Sequence, residues 1–223
     1  MSKQAAQNTT NQITEGVIWK QLLIFFFPIL FGTFFQQLYN TADAIIVGNF
    51  VGKEALASVG GSASTIINLL VGFFVGLSSG ATVIISQYYG ADNRRRVSDS
   101  VHTAIALAIA GGVVIMLLGL VSARFALTAM GTPDDILSLS LTYMKIYYLG
   151  TIPSMIYNMG SGILRAVGDS RRPFYFLLVS AVLNTGLDLL FVLKFGMGVE
   201  GVAYATIIAQ AVSALLTVWV LLR

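Results

Sequence analysis

Six long apolar stretches follow one another along this chain, with almost no charge inside them, and that recurrence excludes most ways of folding in water. Only 10% of the 223 residues are charged while 56% are hydrophobic, against about 25% charged in a soluble domain. The mean hydropathy of +0.81 points the same way. With so little solvated surface, the lipid bilayer is the expected solvent. One crossing takes about 20 apolar residues, so the length accommodates six helices and the fold expected is an all-α polytopic membrane protein. Soluble enzymes, nucleic-acid binders and disordered tails are excluded on this ground. The net charge of +3 is no nucleic-acid footprint, because the basic residues fall on one side of the membrane. With no cysteine there is no disulfide framework and no thiolate metal site.

Residues 1–20 are polar and read as a cytoplasmic tail. The spans are expected near 22–51, 58–88, 101–124, 136–164, 174–193 and 202–222, together forming one transmembrane unit over 21–223. Three of them exceed what an upright helix needs, so tilting or bending is expected. Pro28 and Pro153 each remove a backbone donor and mark kink points in the first and fourth spans. With the N-terminus inside, nine Lys or Arg residues lie on the cytoplasmic side and three outside, with Lys145 near or within the fourth span. By the positive-inside rule both termini are then cytoplasmic.

Gly72, Gly76 and Gly80 make two consecutive small-xxx-small steps in the second span, the pattern that lets helices approach closely in lipid. Gly76-Leu77-Ser78-Ser79-Gly80 also fits the hydrolase pattern Gly-x-Ser-x-Gly, but it lies inside a helix rather than on a strand-to-helix turn. The single histidine, His102, lies near the cytoplasmic start of the third span, away from that mid-helix serine. No P-loop, metal-ligand cluster or dinucleotide fingerprint accompanies it. The chain is not expected to be an enzyme, and no cofactor is expected.

Polar residues inside the spans carry the functional signal. Asp43 lies about 31 Å along the first span and Asp188 about 21 Å along the fifth, at about 1.5 Å per residue, which puts both in the outer half of the bilayer. Gln36, Asn40 and Asp43 share one helical face; Asn184 and Asp188 are one turn apart on another. Thr206, Gln210, Ser213 and Thr217 form a stripe on the sixth span. An ionised Asp at a helix centre costs roughly 2.5–3.5 kcal/mol on insertion scales, so these faces are expected to turn toward one another around water. Hydrogen-bond glue between helices explains the Thr206 stripe equally well. It fits the two carboxyl groups less well, because glue does not require a titratable group, and a carboxyl held out of water can take up a proton or a cation.

The two acids sit in similar surroundings. Asn40-Thr41-Ala42-Asp43 precedes Gly52-Lys53-Glu54, and Asn184-Thr185-Gly186-Leu187-Asp188 precedes Gly198-Val199-Glu200, with Asp-to-Glu spacings of 11 and 12. The run Asp43-Ala44-Ile45-Ile46-Val47-Gly48, continuing through Gly52-Lys53-Glu54-Ala55-Leu56-Ala57, resembles the first hairpin of multidrug and toxic compound extrusion (MATE) transporters. Arg165-Ala166-Val167-Gly168-Asp169-Ser170-Arg171-Arg172-Pro173 resembles the family too, as do Asn184, Asp188 and Gly201-Val202-Ala203-Tyr204-Ala205-Thr206 after it. The resemblance covers essentially the whole chain after residue 15.

The resemblance implies antiport across a prokaryotic cytoplasmic membrane, in which a cationic amphiphilic drug or metabolite leaves as Na⁺ or H⁺ enters. It implies that Asp43, Asn184, Asp188, Thr206 and Tyr143 bind the coupling ion, with Gln36, Asn40 and Gln210 lining the cavity and Na⁺ at Asp43 and Asp188 the only metal. Family members have two six-helix lobes, and this chain matches the first. The expectation is therefore one lobe of a MATE-like transporter, either a partial sequence or a half that joins another copy or a separate lobe. A lipid-linked oligosaccharide flippase of the same superfamily is the nearest rival, with Lys145 the one candidate cation inside the membrane. A six-helix channel lacks its Asn-Pro-Ala signature here. A non-transporting scaffold would tolerate Asn or Ala at both aspartates.

Overall fold

A computed structural model describes residues 17–222. The tail expected over 1–20 lies largely outside them, and the first helix, α1, is already formed at Ile18 and runs to Ile46. It continues without a break into a π-helical turn, Val47–Val51, which stops at Gly52, where φ is +125°. Helix α2 spans Lys53–Gly60, α3 Ser62–Gly90, α4 Arg94–Ala129, α5 Asp134–Leu149, α6 Thr151–Ala166 and α7 Arg171–Leu189. A second π turn, Leu190–Lys194, leads through Gly196 (φ +63°) to α8, Gly198–Leu221. The fold is all-helical among the described residues.

Five stretches are long and apolar enough to cross a membrane: Leu22–Val51, Lys53–Gly90, Arg94–Ala129, Arg171–Lys194 and Gly198–Leu221. Their outward faces suit lipid rather than water, with Val121 at 87% and Phe125 at 78% exposure. The stretch expected as the fourth span is instead two 16-residue helices, α5 and α6, meeting at Gly150. The break is therefore not at Pro153 itself but at the turn before it. Pro153 lacks the N–H that would bond to the carbonyl of Leu149, and its ring crowds that carbonyl. Thr151 Oγ1 donates to the carbonyl of Tyr148 at 2.7 Å, an acceptor in the last turn of α5. Pro28, by contrast, lies inside a continuous α1, so the kink expected there does not interrupt the helix.

Helix packing departs from the expectation drawn from α3. Gly72, Gly76 and Gly80 are exposed, and a Cβ on any of them would meet nothing within 4 Å among the described residues. The close approaches are made by α4 and α6. Ala104, Ala108 and Gly112, then Gly119, Ala123 and Leu127, form the buried face of α4. A Cβ on Gly112 would come to 3.0 Å from the Cα of Ile152 on α6, and one on Gly162 would reach Thr82 Oγ1 at 2.7 Å. The alanine–glycine steps of α4 were as visible in sequence as those of α3. What decides between them is which face turns inward.

The two acidic helices are built alike. Each carries its aspartate just before a π turn, then a glycine with positive φ, then a helix with Glu54 or Glu200 in its first turn, where a negative charge meets the positive end of the helix dipole. The two π turns touch each other. A Cβ on Gly198 would come to 3.4 Å from Val51 Cγ1. The echo in the sequence is thus a pair of neighbouring turns. It brings α1 beside α7 and α7 beside α8.

Candidate functional site

Asp43 and Asp188 are brought together by that pairing. Asp188 is completely buried and Asn184 nearly so, at 0% and 2% exposure, whereas Asp43 is half-buried and reaches a cavity. Asn184 lies against Asp43. With its amide oriented to suit its neighbours, its NH₂ group donates to Asp43 Oδ1 at 2.9 Å and Oδ2 at 3.3 Å, and its carbonyl accepts from the Thr206 N–H at 3.3 Å. Thr206 Oγ1 in turn donates to the carbonyl of Val202 at 3.0 Å. The two carboxyl groups face each other at hydrogen-bond range, and Asp188 has no other hydrogen-bond partner among the described residues. Two adjacent carboxylates cannot both stay charged away from water. A proton on one, or a cation between them, resolves the conflict.

The cavity has a volume of about 480 Å³ and lies between α1, α2, α3, α5 and α8. Gln36, Asn40, Asp43, Tyr143, Thr206 and Gln210, all singled out from the sequence, line it. Gln210 hydrogen-bonds Tyr147 across that wall. Asn184 and Asp188 are not in the lining; they sit behind Asp43. Asp43 is the one ionisable carboxyl in the wall, and no Lys or Arg lines the cavity. Lys145 is exposed on the outside of α5 instead. No group of three or more His, Cys, Asp or Glu suited to a metal occurs among the described residues.

The sequence reading missed several lining residues: Gln37, Tyr39, Thr41, Ser64, Asn68 and Tyr147. Ser64 and Asn68 gave only a weak signal: they stand one turn apart on α3, with Asn68 Nδ2 donating to Ser64 Oγ at 3.4 Å, in a helix that carries several other serines and threonines. Tyr39 and Tyr147 had none, because tyrosine is common in membrane helices and its direction is set only by packing.

The MatE family model matches residues 28–190, well over half of the chain. This chain belongs to the MatE family. Among its curated relatives, the probable multidrug resistance protein YpnP of Bacillus subtilis is 33% identical over 202 residues, covering 91% of this chain and 45% of the relative. The probable multidrug resistance protein NorM of Thermotoga maritima is 30% identical over 210 residues, covering 92% and 45%. A solved MOP superfamily transporter from Pyrococcus furiosus superposes with a TM-score of 0.89 at 28% identity, over 95% of this chain and 46% of that one. A MATE transporter in an inward-facing conformation gives 0.78 at 30% identity, over 83% and 42%. The chain thus spans a little under half the length of the relatives and structures it matches. It is a multi-pass membrane protein of a family of transporters, not of enzymes.

Proposed function

We propose that this chain is the N-terminal six-helix lobe of a cation-coupled exporter in a prokaryotic cytoplasmic membrane, and that Asp43, Asn184 and Asp188 bind the coupling ion, Na⁺ or H⁺. The observation that carries this reading is a fully buried carboxyl group whose one side-chain partner is a second carboxyl that opens to a cavity. Thr206 and Tyr143 complete the wall around the pair. A cationic amphiphile suits a cavity whose ionisable carboxyl is acidic, whose amides and hydroxyls accept hydrogen bonds and whose remaining wall is Leu56, Val59, Ile67, Val71 and Val202. Ion and substrate would then compete for the same negative charge, which is the requirement for exchange. The relatives' description as probable multidrug resistance proteins supports the same direction of use.

Transport by rocking one lobe against another needs a second lobe, supplied by further chain, a separate half or another copy. Gly72, Gly76 and Gly80, open on α3, offer that partner a surface of close approach. Both termini would be cytoplasmic. The flippase reading is disfavoured by the cavity wall, which offers no cation to hold pyrophosphate. In a full-length version, Asp43→Asn and Asp188→Asn should each abolish resistance to cationic drugs while expression persists. Resistance retained in both variants would remove the coupling role and leave the scaffold reading.

A further inference from the structure

Positive charge on this chain is sorted by residue type as well as by place. At the end of the bundle proposed to be cytoplasmic, the turns from α3 to α4 and from α6 to α7 hold six arginines. They are Arg94, Arg95, Arg96, Arg165, Arg171 and Arg172, with no lysine among them, although five lysines stand elsewhere. Asp92, Asp99 and Asp169 are the acids of the same segments, so this end carries a net +3, the net charge of the whole chain. The two turns are neighbours, because Ile85 of α3, Val97 of α4, and Ala166 and Val167 at the end of α6 pack in one apolar cluster. All but the half-buried Arg165 are exposed. Arg94 Nε lies 3.8 Å from Asp92 Oδ1, with both side chains in solvent, and Arg172 Nε lies 3.1 Å from Asp169 Oδ2. Arg95 and Arg171 make no ion pair among the described residues. Arg96 lies over the Tyr88 ring, 5.4 Å from its centroid, and donates to the Tyr88 hydroxyl at 3.4 Å. That contact fixes its depth. Ile84, one turn back on the Tyr88 face, is half exposed on the apolar wall, so the guanidinium sits where that wall gives way to headgroups, the level at which tyrosine collects.

We propose that the arginines of these two turns bind the headgroup phosphates of anionic lipid in the adjoining leaflet. The positive-inside rule accounts for basic residues at this end, but it counts lysine and arginine alike. A planar guanidinium pairs two N–H groups with two phosphate oxygens, which an ammonium cannot do. Placement adds a second reason. Helices α4 and α7 open on arginines with no acid in the first turn, whereas α2, α5 and α8, which begin at the other end, carry Glu54, Asp134 with Asp135, and Glu200 there. A cation at the positive end of a helix dipole is unfavourable, and a phosphate lying against those arginines offsets it. Arg95 and Arg171 supply the uncommitted charge, and Arg96, held on Tyr88, sets the depth at which a headgroup meets it. A zwitterionic headgroup brings its own cation to the same surface, so the preference is for lipid of net negative charge. This surface is separate from the carboxyl pair, and its test needs neither transport nor a fixed orientation.

The test is native mass spectrometry of the purified chain in detergent, titrated with phosphatidylglycerol or with phosphatidylcholine of the same acyl chains. The first phosphatidylglycerol should bind about fivefold tighter or more than the first phosphatidylcholine, the contribution of one arginine near a charged headgroup. Replacing Arg94, Arg95 and Arg96 together by Gln should remove most of that preference, and replacing the same three by Lys should keep only part of it. Arg124→Gln combined with Lys194→Gln, at exposed cations of the other end, should leave it intact. Unchanged phosphatidylcholine binding reports that each variant is folded. Equal affinity of the wild type for the two lipids, or equal loss of preference in the variants of both ends, overturns the proposal. Full preference in the Lys variant would overturn the role of the guanidinium. Displacement of the lipid by an equal concentration of glycerol phosphate would make this a site for soluble phosphates and overturn the lipid assignment.

Discussion

Asn184 is the residue on which the site's geometry turns, because it is the one group that donates to Asp43 while holding the backbone of α8 through Thr206. Replacing it with Ala leaves the Asp43 carboxyl without the amide that donates to it. A buried group left unsatisfied costs about 1–3 kcal/mol, and each kcal/mol lowers Tm by roughly 2–4 °C in a chain of this size. Asn184→Ala should therefore lower Tm by several degrees in a thermal melt of the detergent-solubilised chain; an unchanged Tm would mean the contact is idle. At this scale the sequence was informative wherever a residue was costly to bury. Asp43, Asn184 and Asp188 were legible because a carboxyl or amide in an apolar helix demands a reason, and Thr206 because it opens a polar stripe with Gln210. Tyr39, Ser64 and Asn68 were not singled out, since hydroxyls and a lone amide are cheap enough in lipid to occur without one.

Among the helices, the contrast between α3 and α6 makes a sharp pair of substitutions. Gly162→Ala pushes a methyl group into Ser78 and Thr82 on α3, where Ser78 Oγ already donates to the carbonyl of Asn158 at 2.8 Å. Overpacking of this kind typically costs about 1–3 kcal/mol. Gly76→Ala meets open space and should be neutral or stabilising by about 0.5–1 kcal/mol through helix propensity. Reversible unfolding in detergent checks both; a larger loss from Gly76→Ala than from Gly162→Ala would contradict the packing described. The same pair shows where sequence reasoning stops. Periodicity finds small-residue stripes on α3 and α4 alike, but only the assembled bundle says that α4 buries its stripe and α3 leaves its own open. The break at Gly150 was hidden for a similar reason. Pro153 marked the region, and the exact turn depends on Thr151 capping the carbonyl of Tyr148.

For the molecule as a whole, the exterior is apolar around most of the bundle, while the cavity opens between α1 and α3, the helices whose Gln37, Asn40, Asn68 and Gly72 remain exposed. That asymmetry fits a lobe whose polar side awaits a partner. The orientation proposed above is checked by single-cysteine labelling, which the absence of native cysteine makes clean. Lys53→Cys should react with an impermeant maleimide in intact cells, and Arg95→Cys only after lysis; the reverse pattern would invert the topology. The central claim is that Asp43 and Asp188 hold the ion whose gradient drives export. Its most direct test is efflux of a cationic dye from proteoliposomes holding the lobe completed by its second half, driven by an imposed Na⁺ or proton gradient. The account predicts gradient-driven efflux by the wild type and none by Asp188→Asn, with the folded protein still reconstituted. Efflux by Asp188→Asn at the wild-type rate under the same gradient would contradict it.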